Sequence, residues 1–313
     1  MADLQLRTVT RTSGANAALK DGSVAPRGAV LDFVEIPVLV QGFRRMVREL
    51  EFDVSEMALT TYLVAKEYGV RFTALPVFLV RQFHHGAIRV QPGGAVSQPA
   101  ELEGRRVGVN RGYTVTTGVW ARGVLADEYG VDLDRVTWVL SGDEHVASYR
   151  PPANVVPMPA GGDLATMLAE GDLSAAIGID AADTVPLIPD PEEVALAALR
   201  RGGVFPINHL VVVRDDVLAE HPDLAADLFA AFAEAKNRYV GQLRADEVPD
   251  PTAADRTYRR VLQATGEDPL PYGLEPNRAT LEKLLDQAVA QRILTRRPDL
   301  ESVFAPGTLH LVG

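Results

Sequence analysis

Apolar and polar positions along the first third of the chain alternate between two periods. LQLRTVT (4–10) and AVLDFVEIP (29–37) carry the two-residue alternation of strands, whereas VLVQGFRRMVREL (38–50) repeats at helical spacing. FDVSEMALTTYLVAKEYG (52–69) reads as a strand end leading into a helix, and RFTALPVFLV (71–80) as a further strand. Strands separated by helical segments predict parallel pairing with helices packed on the sheet faces, an α/β protein. A polar break, QPGGAVSQPAELEG (91–104), precedes a second βαβ unit: RRVGVN as strand, TVTTGVWARGVLADEYG as helix and VTWVL as strand. DLATMLAEGD reads as a short helix capped by Asp163 and stopped at Gly171, and SAAIGI as a buried strand. VFPINHLVVVRDDVL returns to strand character, and from His221 onward the pattern is helical. The predicted division is a first lobe of residues 1–97 and 207–313 and a second of 98–206.

Composition narrows the chemistry. At 313 residues and 47% hydrophobic content the chain can bury a large core. Its formal charge of -11 argues against a nucleic-acid or anionic-membrane surface, which would need a broad basic face. The absence of cysteine removes disulfides, thiolate zinc sites and cysteine nucleophiles. No pair of histidines stands one helical turn apart, so no metal site is expected. The N-terminal MADLQLRTVTRTSGANAALKDG lacks the features of a secretory signal and no apolar run approaches membrane-spanning length, which predicts a cytoplasmic protein.

Several strings carry a resemblance. FDVSEMALTTYL, LPVFLVRQFHH, GRRVGVNRGYTVTTGVWARGVLADEYGVD, VFPINHLVVVRDDV and PYGLEPNRATLE together resemble the 4,5-dihydroxyphthalate decarboxylase family. The resemblance implies a two-lobed type II periplasmic-binding-protein-like fold, with a ligand cleft between lobes and a helical C-terminal region. It places Arg81, Phe83 and His85 in register with an arginine-phenylalanine-histidine motif, and His84 where relatives often carry arginine. Asp53, Val54, Glu56 and Met57 match a second motif, with Ser55 between, and Phe205, Pro206, Ile207 and His209 match a third. The chain departs from the family in TRTSGANAAL, where Arg11 stands early and later basic positions are alanine. It also departs at Gly86 and Ala87, where serines are usual, and at Asn208, where methionine is common.

The implied activity is cofactor-independent decarboxylation of a hydroxylated aromatic carboxylate such as 4,5-dihydroxyphthalate. That reaction needs a grip on carboxylates, for which arginine's fork is suited, and an acid whose pKa lies near the working pH. If the strand runs on through VRQFHH, alternation puts Arg81, Phe83 and His85 on one face as grip, ring contact and acid, and turns His84 toward solvent or a supporting position. A structural reading, with His85 capping a loop and Arg81 paired to an acid, stays open. Ser55 reads as the N-cap of a helix begun by Glu56, where free N–H groups could hold a carboxylate and Glu56 could orient a histidine or relay a proton. Arg111, Tyr113, Thr114 and Thr116 in NRGYTVTT form a second candidate anion clamp ahead of a helix. His209 is a third catalytic candidate beside Glu56 and His85, or a core histidine. Arg11 and Asn208 complete the substrate-binding set. The expected partner is a small aromatic carboxylate, with no nucleic acid, no membrane and no metal, and self-association is left open. The same fold also hosts non-catalytic binding proteins and other lyases or dehydratases.

Overall fold

The computed structural model describes residues 3–313. Its strands, in chain order, are β1 (Leu4–Val9), β2 (Ala29–Phe33), β3 (Val54–Ala58), β4 (Phe72–Arg81), β5 (Ile88–Val90), β6 (Arg106–Val109), β7 (Thr137–Leu140), β8 (Val155–Pro157), β9 (Ala175–Ile177), β10 (Val185–Pro186) and β11 (Ile207–Arg214). They form two sheets that belong to two compact units. One unit comprises the residues up to Gln82 with Ile207–Glu282 and Pro298–Gly313, and the other comprises Phe83–Pro206 with Lys283–Arg297.

The first unit holds the sheet β2-β1-β3-β11-β4. β1 runs parallel to β2 and β3, as the alternation of strands and helices predicts, whereas β11 is antiparallel to both β3 and β4. β3 lies in the middle with all five residues buried, so its VSEMA sequence places a serine and a glutamate where a central strand normally carries only apolar side chains. β4 is the edge strand and tolerates Pro76 there. Its pairing with β11 slips register on both sides of His209. Tyr62, Phe72, Phe78 and Phe304 fill the core, and the 22-residue helix Leu224–Ala245 closes over the turn Gly14–Asn16, where Gly14 sits against the ring of Tyr239. A Cβ at Gly14 would occupy that ring's space, which explains the glycine.

The second unit holds the sheet β10-β5-β9-β6-β7-β8, with β6 parallel to β7 and β9. Val139, Leu164, Met167, Leu168, Leu173 and Ala176 pack as a core cluster there. The helix Thr116–Tyr129 follows β6, and Asp163 caps the helix Leu164–Ala169 by accepting from the Thr166 amide at 2.9 Å.

The division differs from the one predicted at residues 97/98. The chain changes unit at Gln82/Phe83 because β5, ahead of the polar break, pairs with β9 and β10 of the second sheet. Residues 283–297 also belong with the second unit, through Gln287 to Asp127, Gln291 to Arg122 and Tyr149 to the Arg292 carbonyl. No helix among the described residues is long and apolar enough to cross a membrane.

Candidate functional site

The first unit brings Glu56 and His209 together on neighbouring strands. In the antiparallel pairing of β3 with β11, Glu56 faces Val211 and Ala58 faces His209, so Glu56 and His209 are diagonal neighbours on one face of the sheet. The Nδ1 of His209 lies 2.6 Å from the Glu56 carboxylate, and the other carboxylate oxygen accepts the Arg11 amide at 2.8 Å. The Glu56 side chain is 1% exposed and that of His209 18% exposed. The pair therefore has its carboxylate sealed in the sheet and its imidazole partly open to solvent. With Nδ1–H donated to the carboxylate, the tautomer is fixed and Nε2 remains to exchange a proton. The Phe43 ring meets the imidazole edge-on, with centroids 5.2 Å apart, and restricts its rotation.

Arg11 contributes its backbone here, while its side chain is exposed. The loop that carries it is tied internally, since Asn16 donates to the Arg11 carbonyl at 2.8 Å and to the Thr10 hydroxyl at 3.1 Å. This loop follows β1 and Glu56 follows in the parallel β3, so the pair lies toward the carboxyl ends of parallel strands, where open sheets bind ligands.

Two expectations fail on local structure. Ser55 and Glu56 do not begin a helix: both are inside β3, the helix starts at Leu59, and the Ser55 hydroxyl donates to the Glu56 carbonyl at 2.7 Å. No helix terminus is therefore presented beside Ser55 to hold a carboxylate. β4 ends at Arg81, and His85 opens a separate 3-10 turn, so the alternation that aligned Arg81, Phe83 and His85 stops before it reaches the histidine. Arg81 is buried within the first unit. Its guanidinium donates to Asn277 and to the Pro271 carbonyl at 3.2 Å, and burial pulls its pKa down to about 10. It braces the segment that follows the helix Ala253–Thr265. Tyr258, whose hydroxyl accepts the Arg81 amide at 3.3 Å, is held above the usual phenol range by burial, with the Glu56 charge adding to the shift. Asn208 is buried next to His209, in the slipped register of β11.

His85 and Phe83 lie in the second unit. His85 Nε2 is 2.9 Å from Glu128, and the Phe83 ring stacks on Phe205 with centroids 4.7 Å apart. Both line a cavity of about 220 Å³ with Trp120, Val124 and Val204. His84, expected toward solvent or in support, is fully buried.

The loop ahead of the helix Thr116–Tyr129 has the form of an anion clamp, but a protein carboxylate occupies it. The Tyr113 and Thr114 amides and the Thr114 hydroxyl all donate to Glu144. Thr116 is buried as the first residue of the helix. Arg111 takes a left-handed φ of 73° with its side chain exposed, and its amide donates to the Ser141 hydroxyl at 2.8 Å. Beneath the loop, Arg122 is wholly buried, donates to the Tyr113 carbonyl at 2.7 Å and lies 3.8 Å from the Tyr113 ring centroid. Burial lowers its pKa, against the pull of Tyr113, Tyr149 and Glu144.

Comparison with known proteins follows the same lines. No family model matches the chain. A 4,5-dihydroxyphthalate decarboxylase from Comamonas testosteroni is 29% identical, with 99% of this chain and 98% of that protein covered. Over nearly its whole length the chain is similar to this 4,5-dihydroxyphthalate decarboxylase. A second such enzyme, from Pseudomonas putida, is 34% identical over 44% of this chain, and the match spans about half of that protein, 55%. Among solved structures, the alkanesulfonate-binding protein SsuA from Xanthomonas axonopodis pv. citri superposes with a TM-score of 0.53 at 16% identity, covering 97% of this chain and 98% of that one. The desulfurization enzyme DszB gives 0.56 at 16% identity and 96% coverage of each chain. A Candida albicans protein described as having the generic periplasmic binding protein structural fold gives 0.51 at 14% identity, covering 100% and 99%. At these identities the structures establish the fold, and it is the periplasmic-binding-protein-like one. Sequence reasoning missed Arg122, Glu144 and Tyr258. An arginine four residues after Gly118 on a helix, pointing back along its axis, was the available signal for Arg122.

Proposed function

We propose that this protein is a decarboxylase of a hydroxylated aromatic carboxylate, working without a cofactor, and that His209 rather than His85 handles the proton. The observation that carries the reading is the Glu56–His209 pair, a buried carboxylate holding Nδ1 of a partly exposed imidazole in a chain related over its whole length to 4,5-dihydroxyphthalate decarboxylase.

Loss of CO2 from an aromatic ring requires a proton on the carbon that bears the carboxylate. In the proposed sequence, the imidazolium of His209 delivers its Nε2 proton to that carbon. The carbon–carboxylate bond then breaks, its electron pair returns to the ring and CO2 leaves. A ring hydroxyl conjugated with that carbon raises its basicity by supplying electron density. His209 ends neutral and regains its proton from water. Glu56 stabilises the imidazolium before transfer and keeps Nε2 turned outward, the role an orienting carboxylate has in other histidine sites. Arg11, through its amide, and Phe43, through its ring, hold Glu56 and His209 in place.

The substrate class comes from the relatives, and 4,5-dihydroxyphthalate is the first compound to test. Incubation with a panel of dihydroxyphthalates and hydroxybenzoates should release CO2 from at least one member, with release lost in His209→Ala. Ligand-induced thermal stabilisation without CO2 release from any member would instead make the protein a binding protein, and full activity in His209→Ala would remove the assigned acid.

A further inference from the structure

His85, the acid that strand alternation predicts, belongs instead to the second unit, where it lines a cavity the proposed reaction does not use. The cavity measures about 220 Å³ and takes its lining from the helices Thr116–Tyr129 and Pro191–Gly202, from Lys283 and Gln287 of the helix Arg278–Ala290, and from the segments at Phe83 and Val204; every lining residue lies within the second unit. Phe83, Trp120, Val124, Ala198 and Val204 make its apolar walls. A cavity of roughly 150 Å³ already holds benzene, so this one has room for a single substituted ring. Its polar lining is unevenly satisfied. Asp127 Oδ2 is taken by Lys283 at 2.7 Å and by Gln287 at 2.6 Å. Glu128 Oε1 lies 2.9 Å from His85 Nε2, while Arg201 stands 3.9 Å from Oε2, out of hydrogen-bond reach. His85 is 4% exposed, and its Nδ1 is buried with no hydrogen-bond partner among the described residues. With Nε2–H donated to Glu128, Nδ1 is a bare acceptor. The His85–Glu128 pair therefore presents acceptors without donors, an arrangement that costs free energy until a donor arrives.

We propose that this cavity is a second ligand site, for a small neutral phenol whose ring lies against Phe83, Trp120 and Val124 and whose hydroxyl donates to the His85–Glu128 pair. Apolar walls with a few polar groups to fix orientation are the usual make-up of a small-molecule pocket. A carboxylate ligand is disfavoured, because it would set a negative charge against Asp127 and Glu128. Lys283 is committed to Asp127 and the Arg201 side chain is mostly exposed, so neither offers a buried cation in compensation. An aromatic ring without a hydroxyl fills the space and leaves the acceptors as they are. The site shares no residue with the Glu56–His209 pair and does not rest on the decarboxylase reading.

Fluorine NMR titration of the full chain with 4-fluorophenol, and with fluorobenzene and 4-fluorobenzoate as controls, reads occupancy directly. 4-Fluorophenol should bind saturably and at least about tenfold more tightly than fluorobenzene, the weight of one hydrogen bond to a charged group. Ala198→Phe, which fills the cavity from the helix Pro191–Gly202, should abolish that binding; should it fail to fold, Ala198→Leu should weaken it. Glu128→Ala should remove the preference for 4-fluorophenol over fluorobenzene. Any binding of 4-fluorobenzoate should survive Ala198→Phe, because it takes place elsewhere on the chain. Absence of saturable 4-fluorophenol binding, its full persistence in the folded Ala198 variants, equal affinity for fluorobenzene in the wild type, or loss of 4-fluorobenzoate binding in Ala198→Phe would each overturn the proposal. Because binding and not turnover is read, a protein that fails to release CO2 can still pass this test, and an active decarboxylase can fail it.

Discussion

Replacing Glu56 by glutamine tests the central pair with almost no change of shape. The carboxylate accepts two donors, Nδ1–H of His209 at 2.6 Å and the Arg11 amide at 2.8 Å. A glutamine has one acceptor oxygen and one NH2, so it can serve only one of them in the same way. If its oxygen stays with the Arg11 amide, its NH2 faces Nδ1, which must then give up its proton and become the acceptor. The neutral imidazole would carry its proton on Nε2, and the imidazolium would lose its counter-charge in a position where Glu56 is 1% exposed. Hydrogen bonds to charged groups contribute about 1.5–3 kcal/mol, which corresponds to a loss of roughly 10- to 150-fold in the population of the reactive imidazolium or in kcat at about 1.4 kcal/mol per decade. The expected result for Glu56→Gln is therefore a kcat lower by about a hundredfold with a KM within a few-fold of wild type. CO2 release gives the rates, and nitrogen NMR of the histidines gives the tautomer. A variant with kcat within twofold of wild type and Nδ1 still protonated would show that Glu56 does not act through His209.

Three further outcomes follow from the packing. Asn277→Ala should lower stability by about 3 kcal/mol, by taking from the buried Arg81 guanidinium an acceptor that also ties Pro271 and Gly273, with kcat/KM of the folded fraction nearly unchanged; denaturant unfolding and steady-state kinetics check it. Gly14→Ala should lower the melting temperature and activity together, because its methyl displaces the Tyr239 ring and with it the loop bearing the Arg11 amide. Tyr62, Tyr258 and Tyr272 are held by burial above the ordinary phenol value of 10.0, so the stability they contribute is complete below pH 10 and declines as pH rises through and beyond it. Phenolate absorbance should show these groups ionising only as the protein unfolds, and full titration in a protein that keeps its native circular dichroism would contradict their burial.

The periodicity of the chain was enough to mark most elements and the α/β class, because burial on one face of a helix or strand writes itself into local spacing. LQLRTVT, RRVGVN and the helix from Thr116 are where that spacing puts them. Glu56 and His209 were both legible as polar residues inside apolar runs, but nothing local joined residues 153 positions apart. Their contact depends on β11 pairing antiparallel to β3 in the register that sets Val211 opposite Glu56, which only the assembled sheet fixes. Arg81 illustrates the reverse case: an arginine at a strand end reads as a ligand grip, while its acceptors, Asn277 and the Pro271 carbonyl, lie some 190 residues away and become neighbours only when the C-terminal segment packs back. Glu144 was invisible for the same reason, since a glutamate in a charged loop shows its purpose only against the three donors it meets. Sequence by itself determined the elements, the relationship and the supply of candidate groups, all of which depend on local composition and order. Which of those groups face one another, and which are already satisfied, was decided by tertiary structure, because hydrogen bonding and burial are set by distance in space and not by distance along the chain.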